Sequence, residues 1–141
     1  MLNVTGSFSF GVRGTGLDFN AISAELGISP TKTVKKGDMV SKALNKCAPC
    51  DSWIYEVMMQ EDDEYDFDGL VHLLQELLPN ADFVKELQMA DNEVDVSCFV
   101  RSDHAQIGFE LSTEGIDLLK RLGLCLRFHI LSFGGVEEQT E

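Results

Sequence analysis

The sequence predicts an α+β fold, with a ferredoxin-like βαββαβ antiparallel sheet, helices on one face, and a preceding N-terminal βα arm. Alternating apolar and polar residues mark several segments as strands with one buried face. Apolar residues at helical spacing mark the segments between them as amphipathic helices. With 141 residues, 44% of them hydrophobic, the chain fits a single domain. We expect the arm and a basic loop over 1–50, the ferredoxin-like unit over 51–133 and a disordered acidic tail over 134–141.

The arm reads as one strand followed by one helix. In "VTGSFSFGV", Val4, Phe8 and Phe10 alternate with small polar residues, which predicts a strand. We expect this strand to pair at an edge of the sheet. Asp18 is a suitable N-cap for the helix "FNAISAELG", and Gly27 is a suitable end for it.

The remaining elements show the same strand alternation and helical spacing of apolar residues. "SWIYEVMMQ" predicts the second strand, and "GLVHLLQELLP" predicts a helix with a broad leucine stripe. Pro79 should end or kink that helix, which "NADFVKELQMA" resumes. "EVDVSCFVRS" and "IGFELS" predict two more strands, "EGIDLLKRLG" a helix and "LCLRFHILSF" the last strand.

The overall charge restricts the class of partner. A formal net charge of −13 disfavours a general nucleic-acid binder, because phosphates would repel it. The apolar runs are too short for a membrane span, and "MLNVTGSFSF" lacks the pattern of a signal peptide. We therefore expect a cytoplasmic protein that does not bind membranes, with its four cysteines as reduced thiols.

One stretch, Lys32–Cys50, concentrates positive charge in this acidic chain, with five lysines and a single acid. The candidate ligand- or partner-binding residues are Lys32, Lys35, Lys36, Asp38, Lys42, Lys46 and, at the start of the next strand, Trp53. "KKGD" is not a Walker A motif, because the upstream glycine is missing and Asp38 replaces Ser or Thr. The alternative is an ordered connecting loop that docks on the chain's own acidic surface, such as the segment "EDDE".

The cysteines give weak indications of a metal or redox site. Cys47 and Cys50 have the spacing of half a zinc site or of a redox pair. No second closely spaced Cys/His pair accompanies them, and the motif precedes a strand instead of opening a helix. We interpret them as loop thiols, assign no metal and expect no cofactor. Cys98 and Cys125 fit core or sheet-face positions.

The other titratable residues favour ordinary structural roles. His104 lies in "SDHAQ", where Ser and Asp suit a turn better than a catalytic triad. His72 fits a boundary position on its helix, and His129 should face solvent or a partner. The acidic segment "EDDEYDFD" lacks the glycine and final glutamate of a calcium-binding EF-hand loop, so we interpret it as a solvated turn.

Several segments in order resemble the bacterial domain-of-unknown-function family 4279. They are "LGISPTKTVKKGD", Trp53, "VDVSCFVRSDHAQIGFELSTEGIDLLKRLG" and the closing "LRFHIL", which together span nearly the whole chain. The resemblance implies a fold and a bacterial origin, not an activity. "CAPC" departs from the family pattern, so any role for Cys47 and Cys50 would be peculiar to this protein.

Two hypotheses of function follow. The first is a non-catalytic protein-binding domain that uses the exposed sheet face and the Lys32–Lys46 loop; an immunity-like role against a basic toxin is one version. The second is an anionic-ligand-binding or enzymatic domain with a cleft between the lysine loop and the sheet, where Lys35, Lys36 and Asp38 contact the anion and Trp53 packs the ligand. Ferredoxin-like sheets often dimerise, so a homodimer is a further expectation.

Overall fold

The computed structural model describes residues 4–59, 67–102 and 108–132. The fold is α+β, as predicted, and contains a five-stranded mixed sheet and a separate two-stranded ribbon. A 3₁₀ turn over Leu78–Asn80 joins the second helix to the third. The strands and helices, in chain order, are β1 (Val4–Gly14), α1 (Phe19–Leu26), β2 (Lys32–Val34), β3 (Met39–Ser41), β4 (Lys46–Cys47), β5 (Asp51–Met58), α2 (Asp68–Leu77), α3 (Ala81–Met89), β6 (Glu93–Ser102), α4 (Thr113–Leu122) and β7 (Leu126–Ser132).

β1 is the central strand of the sheet, whose order is β2-β5-β1-β6-β7. It runs antiparallel to both neighbours, so that Phe8 lies between Val57 and Cys98. The predicted edge position of this strand is therefore wrong. The physical reason is that both faces of β1 are buried: Ser7 and Ser9 are shielded from solvent as well as Phe8. The absence of any charge between residues 4 and 12 is typical of such a strand.

The second half of the sheet also departs from the prediction. β7 pairs parallel to β6, and α4 forms the connection between them. The ferredoxin-like antiparallel order is not confirmed, because strand order and helix positions differ. The predicted strand "IGFELS" is replaced, over residues 108–112, by irregular chain with one bridge residue, Glu110. Its last residue, Ser112, instead caps α4, accepting a hydrogen bond from the Gly115 N–H at 3.1 Å.

The helix boundaries follow local chemistry. The Asp18 carboxylate accepts the Ala21 N–H at 3.0 Å, which confirms the predicted N-cap of α1. Gly27 ends α1 in the left-handed region, at φ 68°. Pro79 lies in the 3₁₀ turn between α2 and α3, where its missing N–H costs least. None of the helices in the described ranges is long and apolar enough to cross a membrane.

The core lies between one face of the sheet and the helices. The leucine stripe of α2 packs there with buried residues of α1, α3 and α4. We call this sheet face, which carries Phe8, Phe10, Trp53, Val96 and Cys98, the covered face. Burial raises the pKa of the Cys98 thiol to about 12, so that it is an inert core residue, as predicted. Cys125 is exposed and precedes β7.

Candidate binding site on the open face of the sheet

The opposite side of the sheet, which we call the open face, faces away from the core cluster. The strand register aligns its side chains in rows that run across β5, β1, β6 and β7. The three main rows are Met58–Ser7–Phe99–His129, Glu56–Ser9–Ser97–Arg127 and Ile54–Gly11–Asp95. Each row has a small residue at β1, with a larger residue at β5 and, on the other side, a larger residue at β6 or β7. The central strand therefore forms the floor of a trough.

The floor of the trough is polar and shielded by its neighbours. Ser7, Ser9 and Ser97 are all buried, although they point away from the helical core. The Ser7 hydroxyl donates a hydrogen bond to the Glu56 carboxylate at 2.7 Å, which holds Glu56 along the trough. Small hydroxyl side chains at these positions allow another molecule to approach the sheet closely.

One half of the trough is a largely apolar groove of about 590 Å³. Met58, Phe99 and Leu131 line it and are 63%, 40% and 51% exposed. The His129 imidazole stacks on the Phe99 ring with centroids 4.6 Å apart and an interplanar angle of 11°. Contiguous exposed apolar side chains beside polar groups are typical of binding grooves.

A glycine fixes the close approach of β1 and β6 at this groove. A Cβ added to Gly6 would overlap the backbone carbonyl oxygen of Phe99, so no larger residue fits without a backbone shift. The Gly6 carbonyl also accepts a hydrogen bond from the Met59 N–H at 2.8 Å. The end of the groove is thus shaped by backbone packing.

The other half is a polar groove of about 410 Å³. It contains the cations Arg13 and Lys32 and the carboxylate of Glu56, and Phe99 lies between the two grooves because it lines both. Thr31 fixes the rim: its hydroxyl accepts the Glu56 N–H at 2.8 Å. This half suits polar or charged groups of a ligand.

A buried carboxylate organises the arginines beside the polar groove. Asp95 is only 4% exposed, and its oxygens lie 3.1 Å from Arg127 Nη1 and 3.7 Å from Arg13 Nη1. Arg127 also contacts the Glu93 carboxylate at 3.3 Å. The Arg127–Asp95 contact is an ion pair by distance, although Oδ2 lacks a well-directed hydrogen bond. Charge attraction, not hydrogen-bond geometry, therefore holds this pair together.

The lysine loop is ordered mainly by backbone contacts to two aspartates. The Asp38 carboxylate accepts the Lys35 N–H at 2.9 Å, and the Lys35 ammonium lies 4.8 Å from the Phe19 ring centroid. The Asp51 carboxylate accepts the N–H groups of Lys36 at 2.8 Å and Leu17 at 3.0 Å. Of the predicted lysines, only Lys32 lines a groove of the open face.

Lys42 and Lys46 lie apart from the open face, on the exposed ribbon formed by β3 and β4. The ribbon also exposes Met39, Val40 and Leu44. Cys47 is exposed and Cys50 half-buried, and both are free thiols. Among the described residues, no group of three or more His, Cys, Asp or Glu side chains is placed to hold a metal ion.

Trp53 lies in the core and has no exposed surface. Its indole N–H donates to the Ser23 hydroxyl at 3.0 Å, and its ring makes an edge contact with Phe10. The register explains this position, because Trp53 pairs with Val12 on the covered face of β1. Its proposed role in packing a ligand has no support in this geometry.

Asp51, the first residue of β5, accepts two backbone hydrogen bonds, one of them from the lysine loop. The hydrogen bond from Lys36 lowers its pKa most, the bond from Leu17 adds to this, and the Lys35 charge contributes less. Burial opposes these effects without reversing them. The alternative of an ordered loop that docks on the chain's own acids fits Asp38 and Asp51, whereas the segment "EDDE" lies outside the described residues.

Sequence reasoning did not single out most residues of the open face. No sequence pattern marks Met58, Phe99, Arg13 or Leu131, which occupy alternate positions of their strands. The one available indication was the run of Ser and Gly on β1. The expectation that His129 is exposed is confirmed, and His72 is exposed as well. His104 and the tail lie outside the described residues.

The chain belongs to a family described as a domain of unknown function (DUF4279), whose model matches residues 4–133. The match covers most of the chain, including every strand of the open face. No curated protein and no solved structure matches the chain. The match therefore shows the family of the chain and gives no function, so a function has to be inferred from the geometry of the structure.

Proposed function

We propose that this member of the DUF4279 family is a non-catalytic protein-binding domain whose binding site is the trough on the open face. The observation that carries the proposal is the apolar groove, where Met58, Phe99 and Leu131 remain accessible on a rigid sheet. Accessible aromatic side chains and methionines are enriched in protein-binding surfaces relative to the rest of the protein surface.

The composition of the trough indicates the kind of segment that fits it. An apolar side chain would fill the groove beside Phe99, and polar groups would contact Arg13, Lys32 or Glu56 in the adjoining groove. The chain's net charge of −13 favours rapid encounter with a basic partner. An immunity-like protein that masks a basic toxin would use this property.

The test uses two methionines on different surfaces. A photocrosslinking amino acid replaces Met58 in the groove or, as the control, Met89 on α3, which is 84% exposed. We expect one protein to be crosslinked in the source cells only from position 58. With that protein purified, Met58→Lys should weaken its Kd at least tenfold by calorimetry, and Met89→Lys should not. Equal crosslinking from both positions, or equal Kd values, would contradict the proposal.

A second candidate function is binding of a small anionic ligand in the polar groove. The observation that favours it is the convergence of Arg13 and Lys32 with the Ser9 side chain around one groove of about 410 Å³. Nucleotides and phosphorylated metabolites at millimolar concentration should then raise the melting temperature, since ligands that bind only the folded state stabilise it. Lys32→Gln should remove the shift, and exposed Lys42→Gln on the ribbon should not.

A further inference from the structure

The outer edge of β7 is a second candidate interface, next to the apolar groove that His129, Ile130 and Leu131 also line. β7 ends the sheet order, and among the described residues no strand pairs with its outer side. The Val96 N–H donates to the Cys125 carbonyl at 3.1 Å. This hydrogen bond shows which residues of β7 direct their backbone N–H and C=O groups towards β6. The backbone N–H and C=O groups of every second residue point to the same edge of a strand, so those of His129, like that of Cys125, point towards β6. Phe128 and Ile130 direct theirs outward.

Four of the seven side chains along this edge are apolar, and none is an acid. Phe128 and Ile130 lie on the covered face of the sheet and are 45% and 53% exposed. Within "LRFHILS", the only permanent charge is that of Arg127, which pairs with Glu93 and Asp95 of its own chain. A seven-residue edge with this composition is a ready template for another strand.

The charge distribution favours a second copy as the occupant. A partner attracted by the net charge of −13 would need acids to contact, and β7 offers none. Two acidic copies repel each other least where neither surface carries an acid, because salt at physiological concentration largely screens the repulsion between exposed charges more than about 8 Å apart. We propose that β7 pairs antiparallel with β7 of a second copy, joining two five-stranded sheets into one.

The symmetry of such a pair follows from the strand itself. His129 is the midpoint of Leu126–Ser132, so a twofold axis beside it lets the strands overlap along their whole length. Phe128 then lies opposite Ile130 of the second copy, and their outward backbone groups exchange hydrogen bonds. The apolar contact extends the core, because the Phe128 ring already lies 6.1 Å from the Phe67 ring. The open faces of both copies end up on the same side.

Sedimentation velocity of the wild-type chain from about 5 to 500 µM tests the pairing, a range chosen because a single strand pair is at the low end of interface size. We expect a monomer–dimer equilibrium. Ile130→Lys should weaken association at least tenfold. Ile116→Lys on α4 is the matched control, since Ile116 is 54% exposed, and should leave association unchanged. A wild type that stays monomeric, or equal effects of both variants, would overturn the proposal.

Proline substitution tests the backbone assignment independently of charge. Ile130→Pro removes an outward N–H, so the monomer should keep nearly the wild-type melting temperature while dimerisation is lost. His129→Pro removes a bond to β6 and should lower the melting temperature of the monomer. An Ile130→Pro variant that still dimerises would refute strand pairing at β7. Both measurements use the purified chain alone, so neither requires a bound partner in the trough.

Discussion

The two faces of one sheet differ in what their side chains contribute. On the covered face, Phe8, Phe10 and Trp53 have no exposed surface and contact the helices. On the open face, the same strands carry serines and glycine at the centre and Phe99 and Met58 beside them. Because successive residues of a strand alternate between faces, one sequence encodes both surfaces. The covered face stabilises the fold, and the open face is free to specialise in binding.

The two faces also satisfy buried carboxylates differently. Asp51, in the register of the covered face, accepts backbone N–H groups from Leu17 and Lys36. Asp95, on the open face, is held by the side chains of Arg13 and Arg127. Backbone donors are fixed by the fold, whereas arginine side chains can rearrange. The charged side chains of the open face can therefore rearrange without loss of the backbone contacts that order the fold.

Truncation of one phenylalanine on each face gives the largest expected contrast. Phe10→Ala should lower the free energy of unfolding by about 3–5 kcal/mol, because it leaves a cavity beside Trp53. Phe99→Ala on the half-exposed side should cost about 1 kcal/mol or less. Urea denaturation measures both. Similar losses from the two variants would mean that the open face is also part of the core.

Two glycines of β1 sharpen the contrast at the backbone level. Gly6→Ala should destabilise the protein by about 1–3 kcal/mol, because the new Cβ would overlap the Phe99 carbonyl. Gly11→Ala should leave stability unchanged or raise it by about 0.5 kcal/mol, because its Cβ would meet only ordinary contacts with Arg13 and Asp95. Urea denaturation should therefore separate the two substitutions, and equal effects would argue against the tight strand pairing at Gly6.

Asp51 should make the fold sensitive to acid. Its pKa is lowered in the folded state, so its contribution is fully present above its ordinary unfolded value of about 4. The contribution is lost as the pH falls through that value towards the folded one. Asp51→Asn should therefore flatten the decline of unfolding free energy below about pH 5. Asp82→Asn, at an exposed position of α3, is the control, and an unchanged decline in Asp51→Asn would exclude this role.

The smallest expected effect concerns the hydrogen bond beneath α1. Ser23→Ala leaves the buried Trp53 indole N–H without its acceptor at 3.0 Å, which should cost about 1 kcal/mol. Ser23→Thr, which keeps a hydroxyl, is the matched control. Urea unfolding followed by Trp53 fluorescence measures the loss, and identical curves for Ala and Thr would show that the bond contributes nothing.

Local patterns predicted the elements better than their arrangement. The alternation in β1, β5, β6 and β7 and the leucine stripe of α2 identify these elements, because each pattern follows from which residues are buried. Strand order depends on pairing between distant segments, such as Phe8 with Val57 and Cys98, which periodicity does not encode. The prediction therefore had the strands and helices largely right and the sheet order wrong.

The candidate site was harder to predict for a related reason. Lysines such as Lys35 and Lys36 stand out in an acidic sequence, yet their backbone groups serve to order a loop. Phe99 and Met58 are far apart in the sequence and come together in one groove because both pair with Ser7 of β1. A cluster of lysines in an acidic chain can be recognised in the sequence, whereas a groove formed by strand register cannot.

The central position of β1 has a consequence for biosynthesis. β1 leaves the ribosome before β5 and β6, so it is synthesised before the strands that carry Val57 and Cys98, the partners of Phe8. During translation it remains an apolar segment without neighbours, the kind of segment that chaperones bind and that aggregates when they are scarce. Its serines and glycines make one face of the strand less hydrophobic, which should reduce aggregation of the nascent chain before the sheet forms.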